Sequence, residues 1–572
     1  MAPAPRAESR NLRRGHLSGS SPPRCGLIDM LKGGPNPLYR SAPDAIDMRN
    51  IATVDAAPNP SLGQERESGP GEVVAWVKTP AGGVALLILG TFLARLLFAS
   101  ALGLGVDESY MVAAGRKLQL SYFDHPPISW WMAWGAQLTG GESALLVRLP
   151  FIALFAVTTW LMYRVSAALF SPAAGLSAAV VLNLVPVFGL GDATWVLPDG
   201  PLLAALLGAA SCLVAALGRS GRTAWGWWLG AGVCGGLALC SKYSAVLSII
   251  GVVAFLLTEP TSRRWLTRPH PYVAGLVALT TFLPVVVWNA EHGWVSFLFQ
   301  SGRVTGSFRP FGPLSTLAGQ AVFLLPWLWI PLIVCGWIAL RRGPSDRERW
   351  FLVCLAAPPI ILFTTASLWG NVLFHWAAPG YLMLLPLLGD AIARHWRESR
   401  SVRIWLFATA AFVVVGTAAV ASEVRFNWLP ALVGDFPLGK DPSLEVVDWT
   451  SFRQDLASRG LLGKPGLVIA ALRWTDAGKI DYALGGRTPV ICLGPDAHQY
   501  GLIARPDDYA GSDVLIIART SLEQIIGQFW FLFDRIEPLE PVTVFHTRRP
   551  ALRLNLFLGH RLHKAADECC AS

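Results

Sequence analysis

Charge is scarce in this chain: 15% of its 572 residues are Asp, Glu, Lys or Arg, against 53% that are hydrophobic. So few charges cannot clothe a soluble protein of this size, and the composition places the chain in the polytopic membrane class. Framework cysteines are missing too. The nine cysteines are an odd number without regular spacing, and Cys212, Cys234, Cys240, Cys335 and Cys354 lie inside apolar runs as small buried hydrophobes, so neither a disulfide scaffold nor a zinc site follows. Cys569 and Cys570 read as an unpaired tail, with lipid attachment as the alternative. No Walker A, zincin or nucleophile-elbow motif occurs. The net charge of +9 sits in short loops between apolar runs, with no basic patch interleaved with aromatics, and no nucleic-acid partner is expected. Residues 1–80 hold no apolar run long enough for a span or a signal-peptide core; they read as a disordered extension, with Met30 and Met48 as candidate starts.

Apolar runs able to cross a bilayer of about 30 Å are abundant from there on. They fall at 84–104, 144–169, 173–191, 200–217, 225–240, 243–258, 271–289, 314–340, 350–368, 372–390 and 402–422, about eleven spans over a membrane domain of 81–422. The weakest are 225–240 and 243–258. Arginines gather in four loops, around Arg219 and Arg222, Arg263 to Arg268, Arg341 to Arg349 and Arg394 to Arg403. Basic loops stay in the cytoplasm, so eleven spans and a cytoplasmic N-terminus put all four on that side. The remaining loops then lie outside it, which for a bacterial inner-membrane protein is the extracytoplasmic face. Residues 128–139, ISWWMAWGAQLT, are too short and too rich in Trp to span and read as an interfacial helix. A second interfacial helix is expected over 108–120.

After residue 423 the composition becomes soluble. Strands are expected at 467–474, 489–493, 514–518, 542–546 and 552–558, and helices at 475–484 and 521–528, which makes a small α/β domain over 423–572.

The densest chemistry lies in DESYMVAAGRKLQLSYFDHPP, residues 107–127. Asp107 and Glu108 stand at the outer end of the first span, where a carboxylate can meet water beside lipid headgroups. A solvated pair ending the helix is the plain reading; a shielded general base is the chemical one. His125 precedes two prolines that restrict its backbone and aim its ring, though a loop His is often structural. Asp199, in the motif PDGPL, opens a span and reads as a helix cap, a sugar or acceptor ligand, or both. Arg95, Arg148 and Lys242 are costly inside apolar runs unless they face a cavity or a partner. Arg148 and Lys242 are candidates for gripping a lipid phosphate, and Arg95, nearer mid-span, for an internal ion pair. The loop 289–313 adds Glu291, His292, Gln300, Arg303 and Arg309, a mixture suited to closing over a lipid-linked sugar; Glu291 with His292 is a faint metal signal. The run Gly230-Ala-Gly232-Val-Cys-Gly235 copies a dinucleotide fingerprint but lies in a span without a preceding strand, so its glycines are assigned to helix packing.

As an ordered set, several elements resemble glycosyltransferase family 39, the dolichyl-phosphate-mannose protein mannosyltransferases and their bacterial relatives such as aminoarabinose transferases. They are Asp107-Glu108 with Tyr110, the run YFDHPP at 122–127, Arg148-Leu149-Pro150, Pro198-Asp199-Gly200-Pro201-Leu202, Ser241-Lys242-Tyr243, and Trp288-Asn289 through His292 to Gln300. The resemblance covers roughly residues 84–430 and implies a GT-C fold. It implies transfer of a sugar from a polyprenyl-phosphate donor to a lipid, glycan or protein hydroxyl with inversion. Asp107 would be the base, Glu108 and Asp199 would orient it or the acceptor, and Tyr110, His125, Arg148, Lys242, His292 and Arg303 would bind substrate. Some relatives hold a divalent metal ion beside the phosphate, but no ligand set is recognisable here. The competing reading is a transporter or flippase of a lipid-linked sugar. Transporters tend to place ionisable residues at the midplane between inverted repeats, whereas these carboxylates cluster at one face and no internal repeat is visible.

Overall fold

The structure, a computed structural model, describes residues 75–303 and 306–564. The expectations for the N-terminal extension, up to residue 74, and for the tail carrying Cys569 and Cys570 lie outside these residues.

The first part of the chain is helical: α1 (Pro80–Ala101), α2 (Val106–Ala114), α3 (Ile128–Gly140), α4 (Ala144–Leu169), α5 (Pro172–Leu184), α6 (Asp199–Leu217), α7 (Gly221–Ser241), α8 (Ala245–Thr258), α9 (His270–Glu291), α10 (Val295–Gly302), α11 (Gly312–Phe323), α12 (Pro326–Arg342), α13 (Arg347–Ala366), α14 (Ala378–His395) and α15 (Arg400–Phe426). Local sequence sets many of the starts. Thr79, Ser143, Ser171, Asp346 and Ser399 cap α1, α4, α5, α13 and α15 with their side-chain oxygens, and proline fills the first turn of α1 and α5.

Each of the eleven apolar runs coincides with helix. By length and composition, however, seven helices among the described residues can cross a membrane, or eight if α11 and α12, which meet at 112°, count as one broken span. The shortfall has local causes. Helices α5 and α8 have 13 and 14 residues, and α7 is diluted by Gly and Trp. Two of its glycines serve packing: a Cβ on Gly232 would lie 2.5 Å from the Ala274 carbonyl oxygen, and one on Gly236 would strike Thr281, so α7 and α9 meet backbone to backbone.

Ion pairs knit several basic loops at one end of the bundle. Arg347 meets Glu259 at 3.4 Å, while Arg349 and Arg394 reach Asp390 at 2.6 and 2.8 Å.

Beyond α15 come the short helices α16 (Leu429–Val433) and α17 (Thr450–Ser458), then β1 (Leu467–Ala471), α18 (Trp474–Leu484), β2 (Val490–Cys492), α19 (Tyr500–Ile503), β3 (Asp513–Ala518), α20 (Leu522–Phe529), β4 (Phe533–His546) and β5 (Arg549–Leu562). They build a five-stranded sheet in the order β2-β1-β3-β5-β4, parallel across β2, β1 and β3 and antiparallel from β3 to β5 to β4. All five expected strands are present, with β4 and β5 longer than their apolar cores because a hairpin extends pairing beyond the alternating residues.

The sheet unit does not stand apart. One hydrophobic core joins Tyr110, Trp130 and Phe151 of the helical part to Ile469, Leu515 and Val544 of the sheet. A Cβ on Gly478 of α18 would come within 2.7 Å of the Tyr110 Cα, so α2 and α18 touch along their backbones. Helix α2 therefore differs from the expected interfacial helix: it ends at Ala114, and every residue from Glu108 to Ala114 is buried, between other helices on one side and the C-terminal unit on the other.

Candidate active site

Segments far apart in the chain converge on one cavity of about 590 Å³, among them the turn into α2, the 125 position, the Asp192–Asp199 loop, the end of α7, the end of α10 and the approach to α14. Asp107, His125, Asp199, Lys242, Arg303 and His375 supply its polar wall. Phe98, Leu190, Phe323 and Val420 supply an apolar wall that runs down among α1, α11 and α15.

Asp107 is an exposed residue on the wall of this cavity, crowded by other carboxylates. Desolvation by the surrounding protein, then the carboxylates of Glu445, Asp124 and Glu108, push its pKa up to about 6, against the opposing charge of Arg303. That is the range of a base working near neutral pH.

Of the two tasks expected of Glu108, orienting the base or the acceptor, its contacts fit only the first. It is buried, and Arg148 donates to its two oxygens at 2.8 and 2.5 Å, while the backbone N–H groups of Gly105 and Val196 donate at 2.8 and 3.0 Å. A carboxylate so fully engaged cannot also bind an acceptor; it locks the first turn of α2, and so the backbone that carries Asp107. Arg148 is corrected on the same ground. Its remaining N–H groups donate to the carbonyls of Ala99, Leu102 and Gly103, and it is fully buried outside the cavity, so it is not a phosphate grip.

Asp199 is not at the N-cap position of its helix; Pro198 stands there without a side-chain cap, and Asp199 is the first helical residue. Its carboxylate takes two hydrogen bonds from Lys242, at 2.8 and 3.0 Å, and both groups line the cavity. Arg303 also reaches it, held over the rings of Trp376 and Phe299 at 4.7 and 5.5 Å. His125 is kept neutral by burial and by Lys242, which lower its pKa to about 4, and its Nδ1 is buried without a protein partner.

Three expectations are not met. Tyr110 is buried away from the cavity, hydrogen-bonded to Asp124 and accepting from the Gln499 N–H at 2.9 Å. His292 stacks on Trp288 and bonds its carbonyl at 2.8 Å, also outside the cavity. Arg95 makes no ion pair: it donates to the Gly189 carbonyl and the Asn183 amide at 2.9 and 2.7 Å and lies 4.6 Å from the centre of the Phe155 ring. For Tyr110 and Arg95 a neighbour distant in sequence satisfied the group, which sequence spacing cannot reveal; for His292 the partner lies one helical turn back.

Two site residues went unseen in the sequence. His375 sits in a loop identified only as extracytoplasmic. Glu445 comes from the C-terminal unit, and its Oε1 accepts from the Val106 N–H at 3.0 Å, one residue from Asp107. No local pattern marks either.

A divalent ion held by the protein finds no support in the donor set. Among the described residues no three His, Cys, Asp or Glu side chains converge to hold one.

Residues 124–288 match the family model described as dolichyl-phosphate-mannose-protein mannosyltransferase. The matched stretch contains His125, Asp199 and Lys242; Asp107 and Arg303 lie outside it. In overall fold the chain is similar to ArnT from Cupriavidus metallidurans in the apo state, with a TM-score of 0.58 at 14% identity over 83% of this chain and 98% of that one. The structure of the same protein bound to undecaprenyl phosphate gives the same values. No curated protein matches the chain. The class is thereby defined: an integral membrane glycosyltransferase with the GT-C fold. Within it, the likeness is to the mannosyltransferase family and its ArnT-like relatives, as the ordered motifs imply.

Proposed function

We propose that the protein transfers a sugar from a polyprenyl-phosphate donor to an acceptor hydroxyl at the extracytoplasmic face of the membrane. The observation that carries this is the cavity itself, which sets Asp107, Lys242 and Arg303 above an apolar slot among α1, α11 and α15. A donor with a charged head and a long hydrocarbon tail fits both walls. ArnT, the structural neighbour, has been seen with undecaprenyl phosphate bound.

Asp107 takes the proton of the acceptor hydroxyl as its oxygen attacks the anomeric carbon. The carbon–oxygen bond to phosphate breaks on the opposite face, its electron pair goes to the phosphate, and the configuration inverts. The lipid phosphate leaves as an anion near neutral pH, so it needs charge stabilisation more than a proton. Arg303 and the Lys242 ammonium supply that. Asp199 holds Lys242 in place, and neutral His125 offers an unpartnered ring nitrogen to a sugar or phosphate oxygen.

The test is transfer of labelled sugar from polyprenyl-phosphate mannose, glucose and aminoarabinose to washed cell envelopes of a strain lacking the gene. Wild type is expected to transfer from one of them and Asp107→Asn to fall by about 10²- to 10⁴-fold, the usual worth of a general base. Equal transfer by both proteins removes Asp107 from the mechanism.

A further inference from the structure

The C-terminal unit contains a second crevice, of about 460 Å³, lined by Val106, Glu445, Arg473, Asp476, Arg519 and Thr520 among others. Its place in the sheet is informative. Strands β1 and β3 are parallel neighbours; the chain leaves β1 through α18 toward β2 on one side, and leaves β3 through α20 toward β4 on the other. The crevice opens between their carboxyl ends, where such a reversal leaves room for a ligand. Residues 472–476 directly follow β1, and Ala518, Arg519 and Thr520 end or follow β3.

The lining is rich in groups that bind hydroxyls. Arg519 donates to Asp476 at 2.6 Å, yet its side chain remains about half exposed, at 46%. Arg473 is held by Asp496 at 3.1 Å with 65% of its side chain exposed. The Thr520 hydroxyl is shielded from water and has no hydrogen-bond partner. With Thr475, Asp476 and Glu445, this gives mixed donors and acceptors of nearly balanced charge, which suits vicinal hydroxyls better than a lone anion.

The crevice also adjoins the catalytic cavity. Glu445 lines both, and Val106, which forms part of the crevice, precedes Asp107.

We infer that this crevice is the acceptor subsite, holding the carbohydrate part of the acceptor so that one hydroxyl passes Glu445 to reach Asp107. The inference rests on the proposed transferase reading and narrows its acceptor to a glycan-bearing molecule.

The experiment titrates washed cell envelopes of a strain lacking the gene as acceptor, at fixed polyprenyl-phosphate sugar, with full-length wild type, Arg519→Ala and Thr475→Ala in lipid nanodiscs. A second titration varies the donor. The half-saturating acceptor amount is expected to rise about tenfold for Arg519→Ala, the worth of one charge-assisted hydrogen bond, and about threefold for Thr475→Ala, which loses a neutral one, while the half-saturating donor concentration stays within about twofold. Arg519→Lys is expected to recover part of the loss. An unchanged acceptor curve overturns the subsite, as does an equal rise in both curves. Wild type that transfers nothing from any donor overturns the transferase reading and the subsite with it, so the two failures are distinguishable.

Discussion

At the scale of single residues the site is an argument about where charge is left unpaired. Glu108, Arg148 and Asp199 all have committed partners, whereas Asp107 faces a cavity with three carboxylates nearby and Arg303 as the opposing charge. Its raised pKa sets the direction of the pH dependence: the base form is needed, so turnover at saturating donor should rise with pH and level off above about 6. Glu445→Gln removes the largest of the carboxylate contributions, so the rising limb should move toward lower pH; a limb that stays put would mean that another group controls it. Lys242→Ala and Arg303→Ala should weaken donor use by about 10- to 100-fold, since each removes one charge-assisted contact to the leaving phosphate. Initial rates against donor concentration check this. Asp107 was legible in the sequence because an acidic dipeptide at a span end is conspicuous in so apolar a chain. Glu445 was not, because a separation of 338 residues from Asp107 carries no spacing signal.

At the scale of elements, α2 decides the geometry. It is short, and its position depends on the Glu108–Arg148 lock on one side and α18 on the other. Arg148→Met would strand a buried carboxylate, and the expected cost is about 3–5 kcal/mol, read as a lowered thermal midpoint in nanodiscs. Arg148→Met with Glu108→Gln together should recover part of that loss, because the unpaired charge is gone. Gly478→Ala should also destabilise, by about 1–3 kcal/mol, since its Cβ meets Tyr110 backbone atoms that cannot move aside. Protease sensitivity of the C-terminal unit, compared with wild type, measures that docking. Helix α2 was expected on the membrane surface from its mixed apolar face. A short helix with apolar residues on more than one face is equally able to be buried, and only the partner settles which.

For the whole molecule, the orientation remains a prediction. A periplasm-only reporter fused after Ser422 should be active, and silence there would reverse the proposed sidedness. Three of the four loops that were assigned together from their arginines do meet, through Glu259 with Arg347 and Asp390 with Arg349 and Arg394. Membrane class, helical runs and the strands of the C-terminal unit follow from composition and periodicity, because lipid and sheet each impose a local pattern on the residues that enter them; the candidate base follows from the resemblance of its motif. What tertiary structure alone decided is which charges are spent and which are free. It buried Arg148 in a lock, paired Lys242 with Asp199, and brought Glu445 of the C-terminal unit beside Asp107. Those outcomes depend on contacts between segments tens to hundreds of residues apart, and the free energy of a buried charge is set by the neighbour it finds in three dimensions.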